Sequence, residues 1–200
     1  MNPSGIPGRF SPGTTLLAFF AGLLLNGCST PPTATRPANA PDACRPVYSA
    51  DPSVNAAHLA NCLGGLSPSV DPTEAALAAE TACACAWQLR QEYRVVGTPW
   101  FHNMLVNVGI RKRGLCYQWA DDLTASLEAL QLRTLVLSRA VARLGTRHEH
   151  SGVVLTAPGV RFEHSIVLDA WRHSGQLHWA KVRQDKYPWN EMELPSQSPP

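Results

Sequence analysis

The chain has 200 residues, with 17 Lys or Arg against 15 Asp or Glu, so its formal net charge is +2. A nearly neutral chain without a long basic run excludes a protein that binds nucleic acid through charge, and we expect no nucleic-acid partner. The length is enough for one domain with a sizeable core after its two ends are set aside.

The first 27 residues have the pattern of an export signal. Arg9 is the only charged side chain before an apolar run at 16–25, which is too short for a permanent transmembrane helix. The run ends in Leu25-Asn26-Gly27-Cys28, which resembles the lipobox of bacterial lipoproteins. The resemblance implies that residues 1–27 are removed and that Cys28 becomes a lipidated N-terminus.

The segment 28–43 is rich in Pro, Thr and Ala, a composition typical of a semi-extended tether. Acyl chains on Cys28 would anchor the protein to a membrane, and Ser29 after it favours the outer membrane, with the domain facing the periplasm. The alternative is ordinary signal cleavage and a soluble periplasmic protein. A Pro/Ser-rich tail at 194–200 is expected to be loose, which leaves 44–193 as the domain.

Helices are predicted for the first half of this domain. Asp71-Pro72-Thr73-Glu74 is a helix start, with Asp as the cap, Pro at the first position and an acid two residues further on. This helix is expected to continue to about Arg94, where Gly97-Thr98-Pro99 interrupts it. A shorter helix is predicted for Pro99 to Asn107.

A third helix is predicted to begin at Cys116. Its apolar residues share one helical face: Cys116, Trp119, Ala120, Leu123, Leu127 and Leu130. The free N–H groups and the positive dipole end of a helix N-terminus stabilise a thiolate, so this position suits a nucleophile. The alternative is that Cys116 is an inert core residue.

Strands are predicted for the second half of the domain. Four segments have strand composition and are separated by turn residues: Leu132–Arg139, His150–Ala157, Phe162–Trp171 and Leu177–Val182. The sequence therefore predicts an α+β domain in which N-terminal helices, including the nucleophile helix, pack on a C-terminal antiparallel sheet.

A hairpin between the second and third strands would bring a histidine to an aspartate. A four-residue loop at Pro158–Arg161 places Ala157 opposite Phe162, and the same register places His150 opposite Asp169. Directly opposed side chains lie about 5 Å apart at Cβ, within reach of an imidazole–carboxylate hydrogen bond. A cysteine nucleophile needs such an oriented base.

Six cysteines are present in a chain expected in an oxidising compartment. Apart from Cys28 and Cys116, four remain, and we expect Cys44 and Cys62 to form disulfides with each other or with the helix that carries Cys83 and Cys85. Those two face different sides of that helix and are not expected to bond each other. The Cys-x-Cys spacing has no second cluster to form a metal site, so no metal or cofactor is expected.

The chain resembles the transglutaminase-like branch of the papain-like cysteine enzymes over about residues 95–185. Gly114-x-Cys116-x-x-Trp119-Ala120 is similar to the start of their nucleophile helix, and His150 and Asp169 follow in the order Cys, His, Asp. One departure is Leu115, where bacterial relatives often carry Asp.

The resemblance implies a thioester mechanism. His150 would take the proton of Cys116, Asp169 would fix the His150 tautomer, and the thiolate would attack an amide of a peptide, protein or peptidoglycan substrate. Water would then give hydrolysis, and an amine would give transamidation. The Cys116 N–H would be one oxyanion donor, with Asn103 and His102 as candidates for the second.

Two other functions are compatible with these motifs. The first is an NlpC-type cell-wall endopeptidase, whose sequence signature Phe162-Glu163-His164 faintly resembles. The predicted register, however, pairs His164 with Leu155 on the other face of the sheet. The second is a catalytically silent envelope lipoprotein that binds a partner. His148 shares the face of His150 and is its nearest rival as a base.

Overall fold

The computed structural model describes residues 44–46, 48–49 and 51–192. The predicted signal, Cys28, the tether and the tail at 194–200 lie outside the described residues. The described chain is an α+β fold in which four N-terminal helices pack on a five-stranded antiparallel sheet, so the predicted fold class is confirmed at this level. Within the described residues, no helix is both long and apolar enough to cross a membrane.

The helices are α1 (Pro52–Gly64), α2 (Pro72–Glu92), α3 (Pro99–Asn107) and α4 (Cys116–Glu128). Proline occupies the first turn of the first three, and the side chains of Asp51, Asp71 and Thr98 accept N–H hydrogen bonds as their caps. α3 and the start of α4 agree with the prediction, and α2 ends slightly before Arg94. α1 was not predicted, although its Asp-Pro start is the same signal that identified α2.

The strands are β1 (Val136–Ala142), β2 (His150–Thr156), β3 (Ile166–Asp169), β4 (His178–Lys181) and β5 (Trp189–Met192), in the spatial order β4-β3-β2-β1-β5. β3 is shorter than the predicted Phe162–Trp171 because Phe162–His164 forms a 3-10 helix. β5 was not predicted. It pairs with β1 on the side away from β2, and Trp189 lies opposite Ala142.

The predicted hairpin register between β2 and β3 is wrong by two residues. Leu155 pairs with Ile166, and extending this register places Trp171, not Asp169, opposite His150. The difference arises because the connection contains a 3-10 helix instead of a four-residue turn. Side chains alternate with a period of two, so a shift of two residues leaves His150 and Asp169 on the same face, as diagonal neighbours.

Two apolar clusters cover the two faces of the sheet. The larger cluster joins the buried faces of α1, α2 and α4 to one face of the sheet and includes Leu59, Leu63, Ala78, Trp119, Leu123, Leu127, Leu155, Leu168 and Trp179. The smaller cluster covers the opposite face and contains Ala140, Ala142, Val154, Val167, Val182 and Trp189. Alternation along β2 explains the division, since Leu155 enters the first cluster and Val154 the second.

A disulfide joins Cys44 to Cys62 of α1, with the two Cα atoms 5.2 Å apart. It ties the start of the described chain to the helical layer, which corresponds to one of the two predicted arrangements. The alternative bridges to α2 are wrong, because Cys83 and Cys85 are free thiols. As predicted, these two do not bond each other: Cys83 is buried, and the Cys85 Sγ lies 3.2 Å from the Ser126 Oγ.

Candidate active site

The start of α4 is held by side chains of its own first turn. The Gln118 Oε1 accepts hydrogen bonds from the N–H groups of Gly114 (2.7 Å) and Leu115 (3.0 Å). The Trp119 Nε1 donates to the Gly114 carbonyl oxygen at 3.0 Å. Because Cys116 is the first residue of α4, its N–H has no acceptor within the helix and remains a possible oxyanion donor.

Gly114 is required by two features of this turn. Its φ is +133°, in the region that favours glycine, and a Cβ there would collide with the His102 ring. His102 is buried, its Nε2 donates to the Arg113 carbonyl oxygen at 3.0 Å, and its Nδ1 accepts from the Val96 N–H at 3.4 Å. With both ring nitrogens occupied, His102 supports the turn and is not the second oxyanion donor.

Asn103, the other candidate donor, contacts the turn that follows β3. Its Oδ1 accepts a hydrogen bond from the Trp171 Nε1 at 3.0 Å. The Trp171 ring in turn packs on His150, with 4.9 Å between the ring centroids. In this structure Asn103 therefore orients an aromatic side chain that contacts the candidate base.

The structure brings Cys116, His150 and Asp169 together. The His150 Nε2 lies 2.7 Å from the Asp169 Oδ2, and the Cys116 thiol is close enough to His150 to contribute to the raised pKa of the imidazole. Since Nε2 faces the carboxylate, Nδ1 is the ring nitrogen left for the thiol. The Cys116 Sγ also lies 3.9 Å from the Glu149 carbonyl oxygen, so the thiol sits beside the start of β2.

Asp169 is held as a carboxylate. Its Oδ1 accepts from the N–H groups of Trp171 (3.1 Å) and Arg172 (3.0 Å), and its Oδ2 accepts from His150 and from the Arg172 Nε (2.8 Å). Burial alone would raise the pKa of Asp169, but the hydrogen bond and charge of His150, followed by the charge of Arg172, lower that pKa to about 2. The anion is therefore present throughout the physiological range.

His150 is held as a cation by its neighbours. Burial disfavours the imidazolium, but the hydrogen bond to Asp169, the hydrogen bond to Cys116 and the charges of both raise the pKa of His150 to about 9. His150 is 3 % exposed, so water contributes little to stabilising its charge. This electrostatic arrangement favours an imidazolium next to the thiol at neutral pH.

Sequence reasoning missed a second layer of charges behind Asp169. The Arg172 Nη1 and Nη2 donate to the two oxygens of Asp185 at 2.7 and 2.6 Å, and the Trp189 Nε1 donates to the same carboxylate at 2.6 Å. Burial opposes the Asp185 charge, but the hydrogen bonds from Arg172, His178 and Trp189 and the charge of Arg172 hold the pKa of Asp185 far below its usual range. No local motif connects these residues, which meet only through the sheet.

Three aromatic rings surround His150. Its ring centroid lies 4.9 Å from that of Trp171, 4.6 Å from Tyr187 and 5.4 Å from Trp189. Gly152 gives the Trp189 indole room, because a Cβ there would come within 3.1 Å of the indole. The rings keep water from most of the imidazole and restrict its rotation.

The other predicted site residues do not join this cluster. His164 lies in the 3-10 helix between β2 and β3, so its predicted strand pairing with Leu155 is wrong. His148 is exposed in the loop between β1 and β2. Among the described residues, no group of three or more His, Cys, Asp or Glu side chains is placed to hold a metal ion.

No family model, curated protein or solved structure matches this chain. The resemblance noted in the sequence therefore depends on the order and spacing of its motif residues.

Proposed function

We propose that this protein is a transglutaminase-like cysteine enzyme of papain-like fold, with Cys116 as nucleophile, His150 as base and Asp169 as orienting group. The observation that carries the proposal is that the His150 Nε2 lies 2.7 Å from the Asp169 Oδ2, while Cys116, the first residue of α4, lies at the start of β2 with its Sγ 3.9 Å from the Glu149 carbonyl oxygen. The nucleophile lies at a helix N-terminus and the base on a strand. This division allows the thiol and the imidazole to be positioned independently.

The first half of the reaction forms a thioester. The Cys116 thiolate attacks the carbonyl carbon of the substrate amide, and the Cys116 N–H donates a hydrogen bond to the oxygen that becomes negative. The His150 imidazolium then gives its proton to the leaving amine, the carbon–nitrogen bond breaks and the amine departs. His150 is left neutral beside the Asp169 carboxylate.

The second half releases the acyl group. Neutral His150 takes a proton from water or from an acceptor amine, whose oxygen or nitrogen attacks the thioester carbon. The carbon–sulfur bond breaks and the thiolate returns, paired with the imidazolium. Water gives a peptidase or amidase, and an amine gives a transamidase.

We further propose that the enzyme is an envelope lipoprotein that acts on a peptide, protein or peptidoglycan substrate in the periplasm. The lipobox-like Leu25-Asn26-Gly27-Cys28 supports the anchor, and the Cys44–Cys62 disulfide is in keeping with an oxidising compartment. Replacing Cys28 by Ser should abolish incorporation of labelled palmitate. Retained incorporation would contradict the lipid anchor.

The activity can be tested with a mixed library of synthetic peptides, incubated with and without a fluorescent primary amine. We expect either hydrolysis or amine incorporation, and at least a thousandfold loss in Cys116→Ala and His150→Ala. His164→Ala is the matched control and should keep the activity. A loss in His164→Ala with none in Asp169→Ala would instead favour the NlpC-type endopeptidase, and turnover that survives Cys116→Ala would contradict the proposal.

A further inference from the structure

The surroundings of the candidate site contain two cations that are not used by the triad. Arg143 follows the last residue of β1, and its neighbour Ala142 pairs directly with His150. Lys186 lies in the segment that leads to β5. Both side chains contact Tyr187, with the Arg143 Cζ 5.8 Å and the Lys186 Nζ 5.1 Å from the ring centroid.

Tyr187 connects these cations to the reaction centre. Its ring centroid lies 4.6 Å from that of His150, so each cation is one aromatic ring away from the candidate base. Attraction between a cation and the face of an aromatic ring holds the two charges at this position. These distances place each charge within about 10 Å of the His150 ring centroid, which is roughly one Debye length at 0.1 M ionic strength.

The carboxylates nearby already have other partners. Asp169 and Asp185 are bonded to Arg172, and the Glu149 Oε2 accepts a hydrogen bond from the Gly145 N–H at 2.7 Å. Within the described part of the chain, Arg143 and Lys186 take part in no ion pair, and both are exposed. The two charges are therefore free to bind an anion from solution.

The backbone at Arg143 also indicates a constrained position. Its φ is +56°, in the left-handed region that non-glycine residues rarely adopt. This conformation turns the chain directly after β1, at the point where the guanidinium reaches Tyr187.

We propose that Arg143 and Lys186 bind a carboxylate of the substrate, so that the preferred substrate is an acidic peptide whose anionic group lies close to the reacting amide. The inference rests on the proposed function, because it assigns a substrate class to the same site. Arg143 supplies a planar donor set suited to carboxylate oxygens, and Lys186 supplies a mobile point charge.

Two alkylating reagents of similar size test whether Arg143 and Lys186 attract an anion to Cys116. Iodoacetate is anionic and iodoacetamide is neutral, and the readout is the ratio of their second-order rates at Cys116, followed by mass spectrometry at low ionic strength. Taking the ratio cancels changes in the intrinsic reactivity of the thiol. We expect the iodoacetate/iodoacetamide ratio to fall roughly twofold in Arg143→Gln, similarly in Lys186→Gln, and about fourfold in the double variant.

Two controls define the outcome. In the first control, Arg161→Gln removes a cation from the turn at the other end of β2 and should leave the iodoacetate/iodoacetamide ratio at its wild-type value. In the second, 0.5 M salt should remove most of the difference in this ratio between the double variant and wild type. A double variant with the wild-type ratio would overturn the proposal while leaving the triad intact. Failure of the proposed function would be recognised differently: neither reagent would modify Cys116 faster than Cys83, and both proposals would be overturned.

Discussion

Three cysteines of the described chain carry free thiols, two on α2 and one at the start of α4, and they lie in opposite kinds of environment. Burial in the helical layer raises the pKa of Cys83 to about 11, and burial also raises the pKa of Cys85. Neither has a cationic partner. Cys116 is half-buried, lies at a helix N-terminus and raises the pKa of a histidine that is itself paired with a carboxylate.

The comparison shows that the local surroundings, and not the residue type, decide which thiol can act as a nucleophile. A thiol among alanines and leucines gains packing but loses the means to ionise. A thiol at a helix N-terminus beside an imidazolium has two neighbours that stabilise its anion. The two environments lie about 30 residues apart in sequence, on α2 and α4, so the difference can be tested within one molecule.

The largest expected effect is selective alkylation. With the Cys44–Cys62 disulfide intact, iodoacetamide at pH 6.5 should modify Cys116 at least a hundredfold faster than Cys83 or Cys85, because a buried thiol with a raised pKa has almost no thiolate at that pH. Peptide mapping measures the three rates in one sample. Equal alkylation rates at Cys116, Cys83 and Cys85 would contradict the claim that only the surroundings of Cys116 favour a nucleophile.

The next effect is the loss of this selectivity when the base is removed. His150→Ala should slow alkylation of Cys116 at pH 6.5 by about a hundredfold, since the imidazolium no longer stabilises the thiolate. His164→Ala, which changes a histidine in the β2–β3 connection, serves as the control. If His150→Ala reacts as fast as the wild type, Cys116 does not depend on this base.

The raised pKa of His150 also predicts how stability varies with pH. A group whose pKa is higher in the folded state than its ordinary 6.5 contributes stability that is complete below pH 6.5 and is lost as the pH rises through about 9. The difference in unfolding free energy between wild type and His150→Gln should therefore decrease by on the order of 3 kcal/mol between pH 6 and pH 10. Urea unfolding at both pH values measures it, and a constant difference would contradict the shift.

At the acid end, Asp169 has the opposite dependence. Its lowered pKa contributes stability that is present above its ordinary 3.8 and is lost as the pH falls through about 2. The unfolding free energy of Asp169→Asn should therefore decrease less than that of the wild type as the pH falls from 4 to 2. Urea unfolding at a series of acidic pH values measures this difference.

The smallest effects are expected from the orienting groups. Asp169→Asn should slow the alkylation of Cys116 about tenfold, and Asp185→Asn only a few-fold, because Asp185 acts through Arg172 and not on the histidine directly. The alkylation rate of Cys116 measured against pH separates an orienting role from general destabilisation. Loss of an orienting group moves the midpoint of this rate profile, and general destabilisation does not. An Asp185→Asn effect larger than that of Asp169→Asn would reverse this order.

Local signals explain what could be predicted from the sequence. The Asp-Pro start of α2, the Pro99–Asn107 helix and the apolar face of α4 are all encoded within short segments, and the structure contains each of them. The His150–Asp169 pair was expected from a register that is wrong by two residues, yet the two side chains still meet because strand faces repeat every second residue.

Features that depend on long-range pairing were not accessible in this way. β5 has four residues and joins the sheet beside β1, far away in sequence, so its short polar segment gave no strand pattern. Arg172, Asp185 and Trp189 come together only after that pairing has formed. The roles of His102 and Gly114 likewise follow from packing between α3 and the start of α4.

The central claim is that His150 is held as an imidazolium between Asp169 and the Cys116 thiol at neutral pH, and NMR of the histidine ring nitrogens between pH 5 and pH 10 tests it most directly. We predict that in the wild type His150 titrates near pH 9, where Asp169 and Cys116 hold its pKa, and that Cys116→Ser lowers this value because the negative sulfur is lost. A His150 that titrates near pH 6.5 in the wild type, with no change in Cys116→Ser, would contradict the account.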